Sequence, residues 1–387
     1  MFVHPALSIT DPVPETRKPT GPLGRLVLPL IRDERDLPFI WLALFLTVLL
    51  VPLAVVMFIP GLFQWWMAAI YWVLYPLHLG PYVLMLHNTS HRVLFKKRYG
   101  LLNRYIPWVV GPFLGMAPET YYAHHIGMHH QDGNQPDDLS STMDYQRDSF
   151  LSFLRYFLNF LVCHPKMTAY FRRTRRLGML RRFWVGELSY LALTVGLLLW
   201  NWQPALVVFA APALFTRLML MAGNWGQHAF IDHDEPANDW SSVISFVNSG
   251  YNHRCFNDGY HLGHHIKASR HWLDMPGDFV DKLPEMVRQR SIVFRKIDYF
   301  VIFLLLMFKR YRFLARFYVQ LDPDDPLSEE QIVALFHERL RRFSPEELEA
   351  ARQRARAPKG KATAPSSPEP APEPASRPAA PGSPPSG

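Results

Sequence analysis

Histidine is concentrated in a stretch at residues 121–130, which reads YYAHHIGMHH. His125, His129 and His130 are spaced i, i+4, i+5. On an α-helix, positions four apart share one face, and the next position lies about 100° further round. One helical turn could therefore offer two imidazoles to one metal ion and a third imidazole to a neighbouring metal ion.

Two further histidine stretches lie upstream and downstream. His87 and His91 are spaced i, i+4, and His261, His264 and His265 are spaced i, i+3, i+4. Each of the three stretches adjoins a strongly apolar segment. A surface cluster would explain one such stretch, but three of them indicate a shared metal site. Their eight imidazoles are too many for one metal ion and are suited to two.

The composition excludes several classes of metalloprotein. The 387 residues include 17 histidines but only two cysteines, Cys163 and Cys255, without a CxxC motif. A disulfide scaffold, a thiolate zinc finger and a ferredoxin-type cluster are therefore excluded within this chain. Imidazole binds iron, zinc, copper and nickel alike, so the ligand type alone does not identify the metal.

The apolar segments predict an all-α integral membrane protein. Four of them approach the roughly 20 residues that a spanning helix needs, namely residues 39–60, 67–86, 184–200 and 205–222. The second of these spans is predicted to be interrupted by Pro76, Gly80 and Pro81. Short uncharged turns join them into two hairpins, and basic residues flank only the opposite ends. Both hairpins are therefore predicted to have their ends, the chain termini and all the histidine stretches on the cytoplasmic side.

Other segments are predicted to complete a cytoplasmic cap that carries the histidine stretches. Residues 106–117 are apolar but rich in Pro and Gly, which indicates a partly embedded, non-spanning segment. Residues 150–162 and 298–308 are predicted as interfacial helices. The basic residues between 166 and 182 serve either as a topogenic signal or as a contact for anionic lipid or an acidic redox partner.

The chain divides into four predicted parts. Residues 1–38 form a polar, mobile N-terminal segment without a cleavable signal peptide, and residues 39–320 form the membrane domain. Residues 321–357 form a helical extension, in which Ser344 is expected to cap a helix. Residues 358–387 are rich in Pro and Ala and are predicted to be disordered.

The three histidine stretches resemble the histidine boxes of the membrane-bound fatty acid desaturase and hydroxylase superfamily. The family pattern is H-x(3–4)-H, H-x(2–3)-H-H and H-x(2–3)-H-H, and this chain has the three in the same order. Asn224-x3-His228 is similar to a motif that follows the fourth span of the stearoyl-type desaturases. The resemblance implies a metal site formed by His87, His91, His125, His129, His130, Asn224, His228, His261, His264 and His265.

The resemblance also implies the chemistry. It implies two non-haem iron ions, dioxygen as a co-substrate and two electrons from a separate donor, either a ferredoxin or a b-type cytochrome with its reductase. The expected substrate is a fatty acyl chain of a membrane lipid or an acyl thioester, which is desaturated. The alternative is a hydroxylase or ketolase of the same superfamily that acts on an acyl, alkane, sterol or carotenoid substrate. No nucleic-acid partner is expected.

Several further residues carry open interpretations. His124 is either a group that orients a ligand or a local residue, and His233 and His271 are expected outside the site. The polar residues before the third stretch either orient the ligands or cap a loop; they are Asn252, His253, Asn257 and Asp258. A transporter with a histidine relay is a third class of function, but the histidines lie at span ends rather than within spans.

Overall fold

The computed structural model describes residues 7–14 and 21–356, and nearly all regular structure in this part is helical. Four of the described helices are long and apolar enough to cross a membrane, which confirms the predicted all-α membrane fold. We call them the first to fourth membrane helices. They are Glu34–Val56, Trp65–His91, Leu177–Trp200 and Trp202–Gln227.

The second membrane helix is continuous, although its prolines and glycine predicted an interruption. It runs unbroken from Trp65 to His91 through Pro76 and Pro81. A proline inside a helix frees the carbonyl four residues earlier. Arg254 donates from Nη2 to the carbonyl of Leu77, at 2.7 Å, and so satisfies the group that Pro81 frees. The prediction of a broken span was therefore wrong.

The second membrane helix ends with the first histidine stretch, and the shorter helices before the third membrane helix carry the second stretch into the interior. They are Pro22–Val27, Lys97–Arg104, Ile106–Val110, Gly111–Leu114, Thr120–His124, His125–His129, His130–Asp132, Phe150–Leu161 and His164–Arg173.

The elements after the fourth membrane helix carry the third stretch and the C-terminal extension. The strands Ser245–Val247 and Val293–Arg295 pair in parallel. The helices are Asp239–Ser242, Gly250–Arg254, His261–Ile266, Trp272–Asp274, Met275–Asp281, Leu283–Arg288, Tyr299–Met307, Tyr311–Ala315, Glu329–Leu340 and Pro345–Arg356.

The irregular segment at residues 106–114 is buried among the membrane helices. Tyr71 and Tyr82 of the second membrane helix donate hydrogen bonds to the carbonyls of Phe113 and Ile106. Irregular backbone at membrane depth is tolerated where protein groups satisfy its carbonyls. These tyrosines explain how a segment too short to span the membrane lies beside the cavity described below.

A glycine lets the third membrane helix lie against the backbone that leads into the second histidine stretch. A Cβ atom on Gly186 would lie 1.6 Å from the carbonyl oxygen of Pro118. Only glycine, which lacks a Cβ atom, fits such a contact. The backbone of the helix therefore directly contacts the backbone of residues 118–120. Glu187, the next residue of the helix, lines the same cavity as His125 of the second stretch.

The C-terminal extension packs against the loops that follow the fourth membrane helix. Phe336 packs on the buried rings of Phe230 and Phe294. The prediction that Ser344 caps a helix is confirmed, because its Oγ accepts a hydrogen bond from the amide of Glu347 at 3.2 Å. The tail at residues 358–387 lies outside the described residues.

Candidate metal centre

Five histidines from all three stretches converge on one point. Their Nε2 atoms form a chain of close neighbours. The separations are 2.9 Å for His87–His264, 2.9 Å for His264–His130, 3.0 Å for His130–His125 and 3.0 Å for His125–His91. Two ligands at right angles, each about 2.0–2.1 Å from a metal ion, lie about 2.9 Å apart. These separations therefore match adjacent ligands of one metal ion.

Three of the five rings are held neutral, which suits them to binding a metal. Burial is the main cause that lowers the pKa of His125, His130 and His264 well below the usual value, and neighbouring histidines lower it further. A neutral imidazole has one ring nitrogen with a free lone pair, which is the form that ligates metals.

The second histidine stretch pairs its residues differently from a regular α-helix. Its residues His125–His129 form a π-helical turn, in which hydrogen bonds run from i to i+5. His125 and His130, five apart, therefore meet in the first set, whereas an α-helix would pair His125 with His129. His129 turns towards a second set.

The second set contains the remaining predicted histidines. His129, His228 and His265 each place one ring nitrogen within 4.8 Å of the other two. His261 adjoins them, with its Nε2 at 3.2 Å from Nε2 of His265. The Nε2 atom of His228 is buried without a hydrogen-bond partner among the described residues, as expected of a ring that awaits a metal ion. All nine predicted histidines thus lie in two adjoining sets.

Carboxylates contact the Nδ1 atoms of three of these rings, on the side of the ring away from Nε2. Nδ1 of His129 lies 2.7 Å from Asp138, Nδ1 of His265 lies 3.1 Å from Asp239, and Nδ1 of His87 lies 3.6 Å from Asp258. A carboxylate at Nδ1 fixes the tautomer that leaves Nε2 free for a metal. Asp138 and Asp239 had no signal in the sequence beyond their acidic character.

Asp138 remains ionised although it is fully buried. Burial alone would raise its pKa, but His129, His124 and the amide of Ser140 together outweigh burial, and the pKa lies below its usual value. The ionised carboxylate also accepts hydrogen bonds from the amide and the hydroxyl of Ser140. The ionised carboxylate of Asp138 therefore orients the ring of His129.

Asn224 and His124 line the cavity described below, beside the histidine sets. The amide nitrogen of Asn224 donates to the carbonyl of Ser140, at 2.9 Å, and to the hydroxyl of Tyr156, at 2.8 Å. His124 is buried with Nε2 at 3.9 Å from Asp138, and burial lowers its pKa to about 4.

The polar residues before the third stretch divide between the two interpretations. Asp258 faces His87, as a group that orients a ligand would. Asn252 and Asn257 instead hold the loop: Asn252 accepts from the amide of Gly259, and Asn257 donates to a backbone carbonyl at 2.9 Å. His253 is exposed.

Part of the N-terminal segment is docked, although the whole segment was expected to be mobile. The carboxylate of Asp11 accepts from Asn252, from the hydroxyl of Tyr260 and from the amides of Asn248 and Ser249. Tyr260 directly precedes His261. Asp11 therefore fixes the loop that leads into the third histidine stretch.

His233 and His271 lie outside both histidine sets. His271 forms a separate group with Asp33 and Asp36, where its Nε2 lies 2.9 Å from Asp36. The carboxylate of Asp33 is already paired with the guanidinium groups of Arg35 and Arg92. This group therefore ties the start of the first membrane helix to the segment after the third stretch by ion pairs.

A cavity of about 410 Å³ leads to the histidines. Its walls are mainly apolar and come from the second and fourth membrane helices and from residues 115–121. It reaches His87, His125, His129 and His261. An apolar chain that enters this cavity ends beside both histidine sets.

These features define a class of protein: a membrane protein in which spanning helices bring histidine-rich segments together beside an apolar cavity. The model of the fatty acid desaturase family matches residues 63–296, and the chain belongs to that family. The matched region contains all three histidine stretches and Asn224-x3-His228. Membership implies an oxidoreductase. A comparison with curated proteins found no match, and neither did one with solved structures.

Proposed function

We propose that this protein is a dioxygen-dependent desaturase that introduces a double bond into a fatty acyl chain with two iron ions. The carrying observation is the pair of adjoining histidine sets at the end of an apolar cavity. The first set would hold one iron and the second set the other. The proposed ligands are His87, His91, His125, His130 and His264 for one ion, and His129, His228, His261 and His265 for the other.

The number of imidazoles favours iron over zinc. Structural zinc sites use four ligands, and catalytic zinc sites use three protein ligands with an open position. A set of five imidazoles exceeds both arrangements. When bound, two iron ions would activate dioxygen with two electrons from a separate donor protein, a ferredoxin or a b-type cytochrome.

The protein groups around the site have three tasks. The carboxylates of Asp138, Asp239 and Asp258 orient the rings of His129, His265 and His87. Burial lowers the pKa of the other buried imidazoles and keeps them neutral, namely those of His125, His130, His228, His261 and His264. The amide nitrogen of Asn224 is held by Ser140 and Tyr156, and the side chain lines the cavity.

The cavity and one sequence motif support desaturation. Desaturation and hydroxylation both begin with removal of one hydrogen from a methylene group. Desaturation then removes a second hydrogen from the adjacent carbon, so the chain must be held fixed. The mainly apolar walls of the cavity supply contacts for holding the chain, and the resemblance of Asn224-x3-His228 is to desaturases.

The basic flanks of the spans support a cytoplasmic position of the metal centre. Basic residues follow the second membrane helix at Arg92 and Lys96 and precede the third at Arg175 and Arg176, and the turns at the opposite ends of both hairpins are uncharged. A soluble electron donor would reach the metals from that side.

The test is the product formed in a host that expresses the chain with a donor. Mass spectrometry of the total fatty acids should show a species lighter by two hydrogens. His125→Ala and His264→Ala should abolish it, and His253→Ala, at an exposed histidine outside both sets, should retain it. A species heavier by one oxygen without a new alkene contradicts desaturation.

Metal analysis of the purified protein tests the site itself. Two iron ions per chain are expected in the wild type and in His253→Ala. His228→Ala should lose iron from the second set. One zinc ion and no iron in active protein would contradict the proposal.

A further inference from the structure

An ion pair lines the cavity within the membrane helices. Arg217 of the fourth membrane helix donates from Nη2 to both carboxylate oxygens of Glu187 in the third helix, at 2.9 and 2.8 Å. Nε2 of His164 lies 3.2 Å from the same carboxylate. Ionised residues within spanning helices are costly and are retained mainly where they act. The metal site does not use this pair.

The exposed side chains of the third membrane helix indicate that the pair lies just inside the boundary between lipid head groups and hydrocarbon. Arg181 and Arg182 of the third helix are exposed, whereas Val185 and Leu188, the next exposed residues with large side chains, are apolar. Glu187 is five residues beyond Arg182, which is about 7 Å along the helix. At this depth the ester groups of membrane lipids meet their acyl chains.

Arg217 has hydrogen-bond donors to offer. Its bonds to Glu187 use Nη2 alone, and no hydrogen bond within the described residues uses Nε or Nη1. Its side chain is 29% exposed and lines the cavity. Glu187 holds the guanidinium group in place, so the free N–H groups have a fixed direction and await an acceptor.

The charges of the cavity lining favour a neutral acceptor. Arg217 is the one cation among the described lining residues, and it is matched by Glu187. Two further carboxylates, Asp258 and Asp298, also line the cavity. Because Glu187 matches the charge of Arg217, no net positive charge remains at this pair to attract the polyanionic head of an acyl thioester. A neutral ester carbonyl needs only the free N–H groups of Arg217.

We propose that Arg217, held by Glu187, binds the ester carbonyl of a membrane glycerolipid whose acyl chain occupies the cavity. The substrate is then an acyl chain esterified to a membrane lipid, and Arg217 determines the position of the chain relative to the histidines. This inference rests on the proposed function and adds the carrier of the acyl chain and the residue that recognises it.

The first test compares carriers. Iron-loaded full-length protein with its electron donor is placed in vesicles of ether-linked lipid, which lacks the carbonyl. One acyl chain is supplied either as an ester-linked phosphatidylcholine or as a coenzyme A thioester. Conversion of the ester-linked chain alone is expected.

Each other outcome has a defined meaning. Conversion of the thioester alone, or equal conversion of both carriers, overturns the inference and leaves the proposed function intact. Conversion of neither carrier contradicts the proposed function and, with it, this inference. Conversion of the ether-linked vesicle lipid at the same rate as the ester-linked phosphatidylcholine also overturns the role of the carbonyl.

The second test changes the pair. The double variant Glu187→Gln/Arg217→Gln removes both charges together, so neither remains unpaired. It should raise the KM for ester-linked lipid about tenfold, the effect of losing one hydrogen bond to a charged donor, with a smaller change in kcat and with iron content unchanged. Arg217→Lys keeps the charge but loses the second arm of the guanidinium, and should raise KM as well.

Arg182→Gln is the matched control, because Arg182 pairs with Glu119 at 3.1 Å and does not line the cavity. Its KM should equal that of the wild type. A wild-type KM in Arg217→Lys and in the double variant, with full iron content, would overturn the inference. If the double variant does not fold, Arg217→Lys alone decides in the same way.

Discussion

At the scale of single residues, the metal centre depends on groups that do not touch the metal. His129 takes its orientation from Asp138, which is buried and ionised at 2.7 Å from Nδ1. Three carboxylates in all face Nδ1 atoms of the histidine sets. Removal of such a partner commonly lowers metal affinity by about 10–100-fold.

Asp138→Asn is therefore expected to lower iron affinity by about 10–100-fold while leaving the helices intact, because the amide lacks the negative charge that holds His129. The measurement is the iron retained during titration with a chelator, with helical content followed by circular dichroism. Asp137→Asn is the control, since Asp137 pairs with Arg173 nearer the surface. Equal iron retention in both variants would refute the role of Asp138.

His233 is expected to make stability depend on pH. Burial is the main cause that lowers its pKa to about 4, and the nearby Arg147 lowers it further. The unfolded chain binds a proton at His233 near pH 6.5, whereas the folded chain does not. The contribution of neutral His233 to the free energy of unfolding is therefore full above pH 6.5. It is lost progressively as the pH falls from 6.5 towards 4.

The thermal midpoint of the wild type should fall over this pH range. His233→Gln cannot titrate, and its midpoint should fall less steeply between pH 6.5 and 4. Because other buried histidines also titrate, the comparison is between the two slopes. Identical slopes in both proteins would contradict the assignment.

At the scale of elements, the third membrane helix must approach the second histidine stretch closely. Gly186 permits this approach, since a Cβ atom there would lie 1.6 Å from the carbonyl oxygen of Pro118. A backbone atom cannot yield as a flexible side chain can. The π-helical turn at His125–His129 follows within a few residues of this contact.

Gly186→Ala should therefore displace the helix from residues 118–120, lowering both the thermal midpoint and the iron content. Gly196→Ala on the same helix is the control, because a Cβ atom there has no neighbour within 4 Å. Replacing that glycine should stabilise the helix by about 0.5–1 kcal/mol. Unfolding in detergent and metal analysis are the measurements. Equal thermal midpoints and equal iron contents in the two variants would show that the contact is not needed.

At the scale of the whole molecule, the C-terminal extension is joined to the metal centre by a buried arginine. Arg147 donates to the carbonyl of Ala229, next to His228, and to the carbonyls of Arg339 and Arg341. It meets no carboxylate in these bonds, and burial lowers its pKa to about 9. The extension thus completes the surroundings of His228.

Truncation after residue 320 should consequently abolish folding, whereas truncation after residue 357 should leave activity nearly unchanged. The first removes Phe336 from the core, and the second removes a composition that cannot build a core. Yield of folded protein and activity at equal expression are the measurements. A large loss of activity on truncation after residue 357 would reveal a docking role for the tail.

The membrane topology is also a property of the whole chain. In a variant without Cys163 and Cys255, single cysteines at Gln64 and Gln203 should react with an impermeant reagent added to intact cells. A cysteine at Gln131, beside the histidines, should react only after lysis. Labelling at Gln131 in intact cells would place the metal centre on the opposite face.

The sequence by itself determined the features that depend on local spacing. Apolar length predicted the four membrane helices, and histidine spacing predicted eight of the nine rings that the fold brings together. The ninth, His228, was predicted from the resemblance of Asn224-x3-His228 to a family motif. Ser344 was recognisable as a cap because capping involves residues three apart in the chain. Such patterns act over one or two helical turns, so they can be recognised before the fold is known.

Only the tertiary structure decided the features that depend on distant partners. The π-helical turn changed which histidines share a set, and Arg254 kept the second membrane helix continuous at Pro81. Asp11 reaches Tyr260 across 249 residues of the chain. Hydrogen bonds and charges act over a few ångströms of space whatever the separation in sequence, so these partners became recognisable only once the chain had folded.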